Sequence, residues 1–167
     1  MSLTRRDFSQ AAALAALFGG SWASVFAQAA GHGAPTAAQA LFTNFEDIQW
    51  QPLLPDYGPG GPQVVILHTD PRTKATQLMI RMSDDFYVPK HWHSANETHF
   101  MLQGKVIFEC DGRRSEQGPG SFNYIPARSV HQAWSRPGEE AIAFITVDGA
   151  WDVNWVDGPP KPPKVSG

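Results

Sequence analysis

The chain contains the sequence His91-Trp92-His93-Ser94-Ala95-Asn96-Glu97. Side chains two positions apart in a strand point to the same face, so an extended segment at residues 89–93 places His91 and His93 side by side. Residues 94–96 have the small and polar composition of a tight turn, after which a second strand can begin at Glu97. The stretch therefore predicts two strands that bring two imidazoles and one carboxylate toward a common point.

Two imidazoles and a carboxylate that face one point are suited to hold a metal ion. We expect a fourth ligand from elsewhere in the chain, and His131, which follows a turn-like sequence at residues 125–129, is the best candidate. Three neutral imidazoles and one carboxylate suit Fe(II), Mn(II), Co(II), Ni(II) or Zn(II) better than Mg(II) or Ca(II), which prefer oxygen ligands. The predicted cofactor is one divalent transition metal, Fe, Mn or Zn, bound by His91, His93, Glu97 and His131.

The spacing around these residues resembles the two sequence motifs of the cupin superfamily. The pattern His91-x-His93-x3-Glu97-x6-Gly104 is similar to the first motif, and Gly120-x5-Pro126-x-Arg128-x2-His131 is similar to the second. Residues 105–119 separate the two motifs, and the resemblance extends over roughly residues 45–156. It implies an all-β fold, namely a single cupin barrel of the double-stranded β-helix or jelly-roll type, with metal ligands at the same four positions.

Three residues depart from the family pattern. Asp85 stands where an opening glycine is usual, Arg128 replaces the glycine of the second motif, and Ser135 replaces its final asparagine. Asp tolerates a left-handed backbone better than most residues, so the first change is mild. Arg128 places a long cation near the predicted barrel mouth, where it either contacts an anionic substrate or lies in solvent.

His99, Tyr124 and Arg128 are the candidate catalytic residues. His99 lies two positions after Glu97 and therefore shares its face of a strand. It can serve as a fifth ligand, as a hydrogen-bond donor to a ligand or as a general acid or base near neutral pH, and the alternative is a structural role. Tyr124 and Arg128 are candidate substrate contacts. No serine lies in a nucleophile elbow, which argues against a catalytic triad.

The composition favours a turn-rich β protein of one domain. The chain has 167 residues, with 15 Gly, 14 Pro, 10 Phe, 6 Trp and 3 Tyr,. A net charge of -3 and the lack of a basic patch argue against a nucleic-acid partner,. The single cysteine, Cys110, cannot form an internal disulfide and is predicted to be an ordinary strand residue.

About ten short segments have the pattern of strands in a sandwich or small barrel. An edge strand is predicted at residues 44–50, and a strand at 151–156 is expected to close the domain. Asp111-Gly112 predicts a two-residue hairpin turn, and the apolar run at 141–147 predicts a strand buried on both faces. The aromatic residues that are candidates to line a pocket around the metal are Phe108, Phe122, Tyr124, Trp134 and Phe144.

The two ends of the chain differ from the predicted domain. Residues 1–29 resemble a twin-arginine signal peptide, because paired arginines precede an apolar run at 11–26 that is too short to span a bilayer easily,. An amphipathic helix and an uncleaved anchor are the alternatives. Residues 30–44 predict a flexible linker, 45–157 the cupin domain, and 158–167 a Pro-rich disordered tail. We expect export to the periplasm and no stable membrane association after cleavage.

The resemblance and the ligand set leave the reaction open, since cupins of this kind include dioxygenases, decarboxylases, isomerases and lyases. The leading hypothesis is a small periplasmic metal-dependent enzyme, an oxidoreductase of the dioxygenase type that acts on a small, partly aromatic or acidic organic molecule. The alternative is a non-catalytic module that senses or sequesters a metal or small ligand. A hydrolytic Zn enzyme is a third reading. The family resemblance also implies a homodimer.

Overall fold

The computed structural model describes residues 39–58 and 60–162. Residues 39–42 contain no helix or strand, and all the regular elements lie in the unit that begins at Thr43. Two short 3-10 helices span Phe45–Asp47 and Pro55–Tyr57. The strands are β1 (Gln51–Pro52), β2 (Gln63–Thr69), β3 (Thr76–Met82), β4 (Tyr87–Trp92), β5 (Glu97–Gln103), β6 (Val106–Cys110), β7 (Arg113–Gln117), β8 (Phe122–Ile125), β9 (His131–Ser135), β10 (Ala141–Val147) and β11 (Asn154–Trp155).

The strands form two antiparallel sheets. The six-stranded sheet has the order β1-β2-β3-β10-β5-β8, and the five-stranded sheet has the order β11-β4-β9-β6-β7. Hydrogen bonds do not close these sheets into one continuous barrel, but the arrangement is that of a jelly roll, and the all-β prediction is confirmed. From β3 to β6 the chain changes sheet at every strand, so β4 and β5, which flank the turn at residues 94–96, lie on opposite sheets.

The core lies between the inner faces of the two sheets. Side chains alternate along β5 and β10, so that Met101 and Ile145 are buried between the layers, as are Leu78 of β3 and Val106 of β6,. Fully burying one such aliphatic side chain contributes about 1.5–3 kcal/mol. The prediction for residues 141–147 is confirmed, because β10 is paired on both edges, with β3 and β5, and most of its side chains are buried.

Two predicted strands are wrong in their extent. Residues 44–50 do not form an edge strand; the chain makes a 3-10 turn at Phe45–Asp47, and the edge strand is the two-residue β1. The reason is local, since the Asn44 side chain donates to the Asp47 carboxylate and the Asp47 N–H donates to the Asn44 carbonyl oxygen, which competes with an extended ladder,. At residues 151–156 only Asn154–Trp155 pair with a neighbouring strand, β4.

Several turns contain residues with a positive φ, and two of these turns, at Asp85 and at Asp111-Gly112, were expected from the sequence. Asp111 and Gly112 have φ angles of 51° and 72°, which is the geometry of a two-residue hairpin between β6 and β7,. Asp85 has a φ of 54°, so it does adopt the left-handed conformation of the glycine that it replaces. Gly104 also has a positive φ, and a Cβ there would come within 2.2 Å of the Glu140 carbonyl oxygen, so no other residue fits. Arg128 holds a φ of 65° in place of a glycine.

Ser135 occupies the position of the final asparagine of the second cupin motif. Its side chain links the end of β9 to the segment just before β4 by hydrogen bonds. Its hydroxyl oxygen accepts a hydrogen bond of 2.7 Å from the Phe86 N–H and donates one of 2.6 Å to the Ser83 carbonyl oxygen. The hydroxyl therefore satisfies two backbone groups at the edge of the core,.

The predicted signal peptide at 1–29 lies outside the described residues, as does most of the predicted linker. Of the predicted tail, residues 158–161 line a shallow groove together with Tyr87 and Lys90 of β4. Within residues 39–58 and 60–162, no helix combines the length and apolar character needed to cross a membrane.

Candidate metal centre

Three histidines converge on the inner face of the five-stranded sheet. His91 lies in β4, His93 directly follows that strand, and His131 begins β9, where it pairs with His91 across the ladder. All three side chains are buried, and their potential ligand nitrogens lie within 4.8 Å of one another. The spacing of two within an extended strand therefore places His91 and His93 together as predicted, and strand pairing adds His131.

Backbone carbonyl groups fix the tautomer of each ring. The Nδ1 atom of His91 lies 2.7 Å from the Pro89 carbonyl oxygen, and that of His131 lies 3.0 Å from the Ser129 carbonyl oxygen. The Nδ1 atom of His93 bonds to the Asp152 carbonyl oxygen. A carbonyl oxygen only accepts hydrogen bonds, so each Nδ1 carries the proton and each neutral ring leaves the Nε2 lone pair free. This is the arrangement that orients histidine toward a metal ion.

Glu97 approaches the histidines from the opposite sheet, at the start of β5. Its side chain is 2% exposed, and its Oε2 lies 3.0 Å from His93 Nε2 and 3.7 Å from His131 Nε2. This oxygen has no hydrogen-bond partner of good geometry in the described part of the chain. A buried carboxylate oxygen that faces unprotonated nitrogens is a cluster of acceptors without a donor, and such a cluster requires a cation. The residues therefore fit a divalent metal, with Glu97 beside the three-histidine group.

The charge states of these groups also suit a metal. Burial lowers the pKa of His91 to about 3 and the pKa of His131 to about 4, so both rings are neutral at neutral pH. Burial raises the pKa of Glu97, but the neighbouring imidazoles of His99 and His93 outweigh it and lower that pKa to about 2. Burial lowers the pKa of His93, while its contact with Glu97 raises the pKa above the ordinary value. At neutral pH the unprotonated Nε2 atoms of His91 and His131 therefore lie beside an ionised carboxylate,.

His99 joins the same site from β5. Its ring is buried, its Nδ1 lies 2.8 Å from Asn123 Oδ1, and its Nε2 lies 3.4 Å from Glu97 Oε2. The Asn123 amide donates to Gln117 Oε1, which fixes the amide so that its oxygen faces His99. The ring therefore presents Nε2 to the carboxylate and to the cavity, as its position two residues after Glu97 predicts.

The structure does not bring Tyr124 and Arg128 to this cavity. Tyr124 is 55% exposed on the outer face of β8, and its neighbour Ile125 points inward instead. Arg128 donates its backbone N–H to the His93 carbonyl oxygen, 2.9 Å away, so it supports the site through its main chain. Of the five aromatic residues expected to line a pocket, Phe108 does so.

Two aspartates that the sequence analysis missed hold the turn between β4 and β5. Asp152 accepts hydrogen bonds from the Ser94 N–H and hydroxyl, at 2.8 and 2.6 Å, and Asp148 accepts from the Asn96 N–H at 2.9 Å and from its side-chain amide. Burial raises the pKa of Asp152, but the bonds from Ser94 lower it below the ordinary value. No local pattern marks these aspartates, because they lie more than fifty residues from the turn.

A cavity of about 270 Å³ lies beside the metal centre between the sheets. One part of its wall is formed by Glu97 and four histidines, namely His91, His93, His99 and His131. The remaining wall is made by Leu53, Leu54, Pro62, Ile80, Met82, Phe86, Val88, Val106, Phe108, Ala133, Ala143, Ile145, Trp151, Val153 and Trp155. The cavity has the concave, mostly apolar character of a small-molecule site.

Comparison with known proteins agrees with this architecture. The sequence pattern of the ChrR cupin-like domain matches residues 38–150, which is more than half of the chain. No curated protein sequence matches this chain. The polyketide cyclase RemF from Streptomyces resistomycificus is similar in structure, with a TM-score of 0.60 and 18% identity over 74% of this chain and 90% of that one.

Two further solved structures are similar in fold. The DMSP lyase DddQ from Ruegeria pomeroyi has a TM-score of 0.51 and 21% identity, over 60% of this chain and 56% of that chain. A structure of Rhodobacter sphaeroides SigE in complex with the anti-sigma ChrR has a TM-score of 0.51 and 25% identity, over 63% of this chain and 51% of that chain. The matched structures thus include enzymes and a protein of transcriptional control.

Proposed function

This chain belongs to the ChrR cupin-like domain family, and from that premise we propose that it is a metal-dependent enzyme of the oxygenase type that acts on a small organic molecule. The observation that carries the proposal is the partnerless Oε2 atom of Glu97, which faces imidazole nitrogens whose rings already donate through Nδ1. A cation satisfies all of these acceptors at once.

The chain's own residues prepare the site for chemistry. A divalent transition metal bound there supplies Lewis acidity, and Fe or Mn also supplies redox chemistry with dioxygen. The carbonyl groups of Pro89, Ser129 and Asp152 hold the rings in one orientation, which avoids rearrangement during a reaction,. The apolar walls exclude water from a molecule bound beside the ligands,.

His99 is the residue that we propose as general acid or base. Asn123 fixes its Nδ1 proton, so its Nε2 can take up a proton from a bound molecule or return one,. Glu97 Oε2 lies 3.4 Å from that nitrogen. His99 lines the cavity, as a residue with this role must.

A second candidate function is the sensing or sequestering of a metal or small ligand without turnover. It is favoured by the family to which the chain belongs and by its similarity to the complex of SigE with the anti-sigma ChrR. We also propose that the chain acts in the periplasm, supported by the twin-arginine-like sequence at residues 1–29, and that it forms a homodimer, as the family resemblance implies.

Metal analysis of the purified exported protein tests the proposal, together with a His91→Ala, His131→Ala double variant. His68→Ala is the matched control, because His68 is an exposed histidine of β2 outside the three-histidine group. We expect close to one Fe or Mn per chain in the wild type and in the control, and a loss of the metal in the double variant.

The outcomes separate the two candidate functions. Fe or Mn, together with oxygen uptake in a screen of small organic molecules, supports the enzyme. Zn without oxygen uptake overturns the oxygenase and favours sensing or hydrolysis. A wild-type protein that takes up no transition metal from any loading mixture contradicts both candidates.

A further inference from the structure

The inner faces of both sheets carry an alanine where the cavity lies. Ala133 belongs to β9, the middle strand of the five-stranded sheet, and Ala143 belongs to β10, an inner strand of the six-stranded sheet. Both side chains are buried, and both line the cavity. Facing sheets pack about 10 Å apart, and larger side chains normally fill that distance. Two alanines in these positions therefore leave space between the sheets.

Larger apolar residues flank each alanine on the neighbouring strands. Ala133 pairs with Val88 and Phe108, and Ala143 pairs with Ile80. These flanking side chains line the cavity as well. Protein interiors are normally packed without such a space, because a gap forfeits dispersion contacts. The space between the sheets therefore has the character of a pocket for an apolar group.

This apolar space begins at the metal centre. Ala133 follows His131 by two residues on one strand, so the two side chains point to the same face about 7 Å apart,. On the other sheet, Ile145 pairs with His99 and lies two residues after Ala143. A molecule that contacts the metal can therefore place its body against both alanines.

The far end of the cavity reaches into the core. Val106 lines the cavity and pairs with Ser135, which lies four residues along β9 from His131, about 13 Å away in an extended strand,. Phe86 also lines the cavity, and its N–H donates to the Ser135 hydroxyl. Val106 is 0% exposed and Phe86 is 3% exposed, so a group that contacts both is shielded from water.

The two ends of the cavity suit opposite kinds of chemical group. A divalent ion held by three neutral imidazoles and the Glu97 carboxylate carries a net positive charge, so the metal end attracts an oxygen group, neutral or anionic,. In the described part of the chain, no lysine or arginine lines the cavity. A charged group at the far end would therefore lose its hydration without compensation.

We propose that the ligand has one metal-binding oxygen group and a compact apolar body, and that Ala133 and Ala143 determine the length of that body. The cavity volume of about 270 Å³ equals that of about nine water molecules in the liquid, so the body is small,. This inference rests on the proposed function, because it requires a metal ion at the three-histidine group. It narrows the substrate class to small molecules that are polar at one end only.

Benzoate and two para-substituted derivatives test the inference by isothermal titration calorimetry of the zinc-loaded protein. Zinc is used because it has no redox chemistry that would consume a probe. Benzoate supplies the metal-binding group, 4-ethylbenzoate extends the apolar body, and benzene-1,4-dicarboxylate places a second charge at the far end. We expect 4-ethylbenzoate to bind about fifteenfold more tightly than benzoate, and the dicarboxylate to bind about a hundredfold more weakly than 4-ethylbenzoate.

Valine substitutions in the two sheets give the second measurement. Ala133→Val and Ala143→Val each add two methyl groups to the cavity wall, so the affinity ratio of 4-ethylbenzoate to benzoate should fall to about one. Valine suits a strand, and if one variant fails to take up zinc, the variant in the other sheet decides. Ala150→Val is the matched control, because Ala150 is exposed after β10 and does not line the cavity. It should keep the wild-type ratio.

The zinc content of each preparation separates this inference from the proposed function. With about one zinc per chain, three outcomes overturn the inference and leave the metal proposal intact. They are a dicarboxylate that binds as tightly as 4-ethylbenzoate, an affinity ratio that the valine variants leave unchanged, and no binding of any probe. Benzoate that binds the His91→Ala, His131→Ala variant equally well also overturns it. A wild type that takes up no metal overturns the proposed function, and the inference with it.

Discussion

Each metal-facing histidine carries its ring proton on the nitrogen that points away from the cavity, because a backbone carbonyl group accepts a hydrogen bond from Nδ1. The acceptors of His91 and His131 are the carbonyl groups two residues earlier in the chain. The two strand segments thus supply both the ligand and the group that orients it. A substitution at Pro89 or Ser129 that preserves the local backbone should therefore keep the hydrogen bond to the histidine ring, because the acceptor is a main-chain carbonyl group.

Arg128 is the residue where a backbone requirement and a side chain conflict. Its φ of 65° costs a residue with a Cβ about 1–2 kcal/mol of folding free energy,. Replacement by glycine removes this cost, but part of the gain is lost because glycine has more conformational entropy in the unfolded chain. We expect Arg128→Gly to raise the free energy of unfolding by about 1 kcal/mol, measured by denaturant titration with circular dichroism.

The control for this variant is Arg128→Ala, which removes the same guanidinium but keeps the Cβ and should give no comparable gain. Metal content should stay the same in both variants, because the Arg128 side chain does not line the cavity. If both variants lost ligand binding, the Arg128 guanidinium would be a substrate contact, as the sequence analysis considered.

At the scale of elements, the turn between β4 and β5 is held at both ends by the segment that follows β10. Asp148 binds Asn96, and Asp152 binds Ser94 and the ring of His93. The turn is also bound to the loop before β9, since Asn96 Oδ1 accepts a hydrogen bond from the Ala127 N–H. Three separate parts of the chain therefore determine the position of the metal ligands.

Removing the Asp152 carboxylate should loosen His93 without touching a metal ligand. We expect Asp152→Ala to weaken metal affinity by about tenfold, the lower end of the range for groups that support metal ligands. Competition with a chelator of known affinity measures this. Asp157→Ala, an exposed aspartate five residues further along, is the control, and equal affinities in the two variants would contradict a role for the bonds to Ser94.

At the scale of the whole molecule, the metal centre lies where the two sheets face each other. The three histidines come from the five-stranded sheet and its adjoining turn, while Glu97 and His99 come from the six-stranded sheet. A ligand that binds the folded chain and not the unfolded chain stabilises it, by about 2.7 kcal/mol at a free concentration one hundred times the dissociation constant.

Chelation should therefore lower the melting temperature of the wild type, and added metal should restore it in a concentration-dependent way. Differential scanning calorimetry with and without a chelator measures the shift. The His91→Ala, His131→Ala variant should melt at the same temperature in both conditions. A wild-type melting temperature that chelation leaves unchanged in a metal-loaded sample would show that the metal lies elsewhere or binds the unfolded chain equally.

The sequence was sufficient for features determined by short-range spacing. The faces of β4 and β5 follow from a period of two, which placed His91 with His93 and Glu97 with His99,. It was insufficient where strand ends depend on competing local hydrogen bonds, as at Asn44 and Asp47. Part of the apolar wall, namely Leu53, Leu54, Pro62, Trp151 and Val153, comes from loops distant in sequence, which no periodicity connects to the site.

The segment after β10 has a consequence for how related proteins diversify. It contributes Trp151, Val153 and Trp155 to the cavity but no histidine to the metal centre. The segment therefore has two roles, because its Trp151, Val153 and Trp155 side chains line the cavity while its Asp148 and Asp152 side chains hold the turn beside the metal centre. In homologues with identical histidine motifs, a change at position 151, 153 or 155 should alter the shape of the cavity, whereas a change at position 148 or 152 should also shift the metal ligands.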